Sequence, residues 1–239
     1  MTGNPRQRPS PTETIRPGEV TVPQLAREEV QRRAEAGFDR TVNSILAPQF
    51  REARSDLTLL RNSILQRQRA LPPDAAEETR NAATQAAIDA FVQQKPNSPL
   101  TQYINAGNSV VDGLSWEWRG RNVTFNLTMR PVADLERFLR APFDQSRSAV
   151  VSQLVAASEP LSSTQSRTNF VTLSGMDPGL AQQLGDGLSR ELGIGPNRSI
   201  PRGHLPITIA YDAELGTPRL AVNYSGPRRA SEMDMSRGG

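Results

Sequence analysis

The stretch SWEWRGRNVTFNLTM, residues 115–129, holds both tryptophans of the chain within three positions of each other, with Arg119 and Arg121 beside them. Indole rings stack on bases and anchor protein interfaces, and an adjacent guanidinium adds a planar fork of donors. Trp116, Trp118, Arg119 and Arg121 are therefore the first candidate binding residues. If the rings are exposed, stacking contributes about 1–3 kcal/mol per base. The competing reading is a buried sheet face. Leu114, Trp116 and Trp118 alternate with Ser115 and Glu117, and Val123, Phe125, Leu127 and Met129 alternate with polar residues. That period of two predicts a hairpin with the tryptophans on one face and Glu117 on the other. Glu117 is then a poor acid/base candidate, and the tryptophans anchor a core.

A second candidate is PNRSIPRGH, residues 196–204, where Arg198 and Arg202 follow a helix and could receive an anion. It is no phosphate loop, because G-K-[ST] is absent. The neighbouring glycines of LGDGLSRELGIG lie inside a helical pattern, where they permit close packing. His204 is the only histidine and there is no cysteine, so thiol nucleophiles, disulfides and the usual zinc sites are excluded. Neither G-x-S-x-G nor S-x-x-K occurs. A pair of carboxylates would suffice for glycoside hydrolysis, but nothing singles out a pair among 25 Asp and Glu. No catalytic residue, metal ligand or cofactor is singled out; the chain reads as a protein that acts by binding, with an enzyme of carboxylate or arginine chemistry as the third reading.

The cations are 27 arginines against one lysine, Lys95. GC-rich coding explains most of that ratio; avoidance of lysine-directed modification and arginine's bidentate grip on phosphate are the sharper readings. A net charge of +3 gives the phosphate reading weak support.

The elements that would position these residues follow from periodicity. Residues 1–22, rich in Pro, Ser, Thr and Arg, predict a disordered arm, a composition shared with leaders of injection-type secretion substrates. Residues 23–95 predict a helical bundle or hairpin of about three helices. Val30, Ala34, Phe38, Val42 and Ile45 line the first. Pro48 is expected to end it, and a second carries the seam Phe50, Leu57, Leu60, Ile64 and Leu71, which could face another copy of the chain. The Pro72-Pro73-Asp74 turn opens a third, alanine-rich helix.

Lys95 to Pro99 reads as a boundary. Residues 96–226 predict an α+β domain with a mostly antiparallel sheet and helices on one face, and 227–239 a flexible tail. Within that domain, helices are expected from Pro131 to about Arg140, from Phe143 to Ala157, and behind an Asp177 N-cap. A strand over Thr168–Leu173 and a last hairpin, Pro206–Tyr211 with Arg219–Tyr224, complete it.

No uncharged run approaches the ~20 residues that cross a bilayer, and the N-terminal residues lack a Sec-type apolar region, so synthesis in the cytoplasm without membrane insertion is expected. The functional expectation is a non-enzymatic binding or assembly protein, for instance a phage or virus structural component with contacts between copies. An injected effector acting on a host protein and a nucleic-acid binder using arginine-rich surfaces are the alternatives. The expected partner is a protein or a second copy, then nucleic acid, and the expected locations beyond the cytoplasm are a virion or a host cell.

Overall fold

The computed structural model describes residues 22–119, 122–158, 167–193, 204–205, 207–212 and 217–224, apart from the side chains of residues 22–26, 118, 119, 122 and 167. Among them the order is α1 (Val22–Ala70), α2 (Glu77–Gln94), α3 (Pro99–Asn105), β1 (Val111–Arg119), β2 (Asn122–Met129), α4 (Val132–Ala157), β3 (Arg167–Thr172), α5 (Pro178–Glu191), β4 (Ile207–Asp212) and β5 (Arg219–Tyr224). The mixed α+β class expected from the sequence is the class observed.

Helix α1 is the spine, about 73 Å long at 1.5 Å per residue. It continues without interruption past Pro48, where the sequence predicted a break. An interior proline removes one hydrogen bond and presses on the carbonyl four residues back, a cost of about 3 kcal/mol. Packing outweighs that cost here. Ala34, Phe38, Val42, Leu46, Ala53, Leu57, Leu60 and Ile64 are all buried, and the step from Leu46 to Ala53 is two whole turns, so the apolar stripe keeps its phase across the proline. Helix α4 repeats the pattern. It joins the two helices expected around Pro142 into one, with Leu139, Phe143 and Val150 buried on either side.

The two helices run antiparallel, tied by Arg147 to Asp39, Arg140 to Asn43 and Arg54 to Glu136. Helix α5 crosses α1 at small residues: a Cβ on Gly187 would meet Thr41 Cγ2 at 2.4 Å, and one on Gly37 would meet the Leu192 side chain at 2.4 Å. Gly185 faces the other way, where a Cβ would lie 3.1 Å from Leu220 Cδ2. These glycines let α5 lie between spine and sheet, which for Gly185 and Gly187 is the close packing the sequence predicted.

The antiparallel pairing expected is observed, divided among the described residues between two small sheets. β1 and β2 form a hairpin, and β3-β5-β4 form a three-stranded antiparallel sheet. The three-stranded sheet buries Val171, Ile207, Ile209, Leu220, Val222 and Tyr224 on its helix side. The hairpin's β2 packs on α1, so its apolar face serves the helical part of the molecule. One continuous core of buried side chains runs from α1 through α2, α4 and α5 to the sheet. No helix among the described residues is long and apolar enough to cross a membrane.

Candidate functional site

The hairpin register pairs Trp116 with Phe125 and Glu117 with Thr124, so the tryptophan and Glu117 lie on opposite faces as the alternation predicted. Trp116 is half-buried, and what covers it is an arginine. Arg80 of α2 is fully buried with its guanidinium carbon 5.0 Å from the Trp116 ring centroid and 5.3 Å from that of Phe125. One terminal nitrogen donates to the carbonyls of Pro73 at 2.8 Å and Pro72 at 3.3 Å, the other to Gln68 Oε1 at 3.5 Å. A desolvated cation over an aromatic face is worth about 2 kcal/mol. Trp116 is therefore a packing residue that locks the hairpin to α2. The side chains of Trp118 and Arg119, and all of Arg121, Arg198 and Arg202, lie outside the described residues.

The seam proposed for contacts between copies is turned inward. Leu57, Leu60 and Ile64 are buried in the chain's own core, and Phe50 and Leu71 are half-buried. The heptad spacing is real, but its partners are within the same chain. His204 is half-buried, with Nδ1 3.0 Å from the Gly193 carbonyl just beyond α5. Among the described residues no group of three or more His, Cys, Asp or Glu side chains could hold a metal ion.

A cleft of about 690 Å³ opens where α1, α3, α4 and the start of α5 meet, within the usual ~300–1,000 Å³ of ligand sites. It lies at the level of the two helical prolines. Its floor is apolar, from Phe138, Leu139, Pro99, Pro142 and Leu180. Carboxamides line it: Gln49 from α1, Asn97 and Gln102 from the α3 region, Gln145 from α4 and Gln183 from α5. Each is at least partly exposed, and none makes a side-chain hydrogen bond among the described residues. Two carboxylates line it. Asp177 caps α5, accepting from Gly179 N at 2.8 Å and Leu180 N at 3.3 Å. Glu52 is exposed and has no such partner among the described residues.

The wall beside Asn97 is fixed by a buried clasp. Asp56 is fully buried; one oxygen takes Lys95 Nζ and the other accepts from Ser98 Oγ at 2.6 Å. Ser98 Oγ in turn accepts from Leu100 N at 3.0 Å, capping α3. Lys95 and Ser98 thus tie α1 to the start of α3. On the α1/α4 seam, Arg147 forks onto both oxygens of Asp39, each at 3.0 Å. That hydrogen bonding holds the Asp39 carboxyl below its ordinary range and raises the Arg147 guanidinium, burial opposing both.

Sequence reading missed this cleft because its residues come from four separated segments, each an ordinary exposed amide. The readable signal was Ser98 before Pro99, an N-cap and first-turn pair that marks α3. In comparisons with known proteins, no family model, curated protein or solved structure matches the chain.

Proposed function

We propose that this protein acts by binding a macromolecular partner, without catalysis, and that the partner seats in the cleft between α1, α3, α4 and α5. The observation that carries this reading is the set of five carboxamides lining the cleft beside apolar side chains, whose donors and acceptors have no partner among the described residues. Convergent polar groups over an apolar surface are the usual make-up of a binding site.

A photoreactive residue at position 183, in the cleft, compared with one at the exposed position 55 of α1, tests the reading in an extract of the cells that make the protein. A discrete adduct from position 183 alone supports it; adducts from neither position, or equal adducts from both, overturn it. A structural component of a phage or virus particle and an injected effector both fit such a binder. Light scattering separates them, since an assembly component forms defined oligomers with rising concentration and an effector of this kind stays monomeric. Contacts between copies would use surfaces other than Leu57, Leu60 and Ile64, which the fold buries.

A second reading, nucleic-acid binding, is favoured by Arg51, Arg61, Arg67 and Arg69. They are exposed on the C-terminal half of α1 and have no acidic partner among the described residues. Binding through several phosphates falls steeply between ~50 and 200 mM salt. Affinity that is flat over that interval removes this reading.

A further inference from the structure

From the cleft's chemistry we infer that its ligand is a short, extended peptide segment carrying a cationic side chain. The inference rests on the reading of the cleft as a binding site and adds the class of ligand. A carboxamide presents a donor and an acceptor in one plane, the same pair a peptide bond presents, so it can hold main chain at two points. Gln49, Asn97, Gln102, Gln145 and Gln183 bring such groups to the cleft from α1, the α3 region, α4 and α5. A chain held by its backbone turns its side chains onto the apolar floor between them.

Charge selects the partner further. Among the described residues the lining contains no cation, and Asp177 is engaged by the amides of α5. Glu52 is the one lining charge with no partner among the described residues, so an Arg or Lys of the ligand neutralises it and an anionic ligand is repelled.

A carbohydrate would use the same amides, but sugar rings also stack on open aromatic faces. The aromatic ring of this cleft, Phe138, is half-buried and held edge-to-face against Tyr103 with centroids 5.3 Å apart and planes at 86°. The rest of the floor is aliphatic, which suits peptide side chains.

The experiment is selection of phage-displayed random heptapeptides on the full chain, in parallel with E52R and with the Q145A/Q183A double variant. The selected peptide is then titrated in capped, fluorescent form. All three positions are exposed, so circular dichroism and thermal midpoint should match the wild type and exclude misfolding. The expected result is an enriched sequence with Arg or Lys at a fixed position. Its affinity falls at least tenfold for both variants, and a version with N-methylated backbone binds as weakly. No enrichment, an acidic consensus, or binding indifferent to both variants overturns the inference. So does a hit on a glycan array that the same variants abolish. A position-183 adduct with a non-peptide ligand would sink this inference and leave the binding reading standing; no adduct at all would sink both.

Discussion

At the scale of single residues, the chain uses charge mainly to tie its own elements together. The Asp56 clasp is the sharpest case. Lys95→Met leaves a fully buried carboxylate with only Ser98, and because the lysine itself is 41% exposed, water softens the loss. The expected destabilisation is about 1–3 kcal/mol by denaturant titration, and adding Asp56→Asn to the Lys95→Met variant should recover part of it. A second prediction concerns acid. The Asp39 carboxyl is depressed in the folded state by its hydrogen bonds from Arg147, so its contribution is complete above its unfolded value near ~3.9 and is lost as pH falls through the lower folded value. Asp39→Asn should therefore cost about 0.5–1 kcal/mol at pH 7, a figure reduced by the pair's exposure. Once pH has fallen through that lower folded value the variant and the wild type should converge; a gap that persists there would place the effect in packing and not in charge.

At the scale of elements, proline decides less than phase. Both proline breaks expected from the sequence were bridged, because the buried positions on either side of Pro48 and Pro142 stay in register on one helical face. That register could be read in the sequence, as the spacing from Leu46 to Ala53 to Leu57 shows; what could not be read is whether a partner helix is present to reward it. The Asp177 cap of α5, the hairpin alternation and the β4–β5 pairing were legible for the opposite reason, since their signals are local. The cleft was not, because its members meet only through tertiary packing. Pro48 is exposed, so Pro48→Ala restores a backbone donor while removing little contact. It should raise the thermal midpoint, by the equivalent of about 1–3 kcal/mol. Pro142→Ala should gain less, because that ring is half-buried in the cleft floor. Equal gains at both sites would contradict this account.

At the scale of the whole molecule, α1 packs against α2, α3, α4, α5 and β2, and its core is continuous with that of the three-stranded sheet. Unfolding should accordingly be one transition. Both tryptophans lie in the β1–β2 hairpin, so their fluorescence follows the hairpin while far-ultraviolet circular dichroism follows the helices. The two curves should coincide; an early fluorescence change would mean that the Arg80 contact does not couple the hairpin to the rest. The distribution of cations has a further effect, on covalent chemistry. With 27 guanidiniums and a single side-chain ammonium, amine-directed reagents find one side chain, at the junction of α1 and α3. That amine is the counter-ion of Asp56. Any conjugating agent, chemical or cellular, must draw it away from a buried carboxylate to react, so tagging this protein at lysine and loosening its fold are the same event.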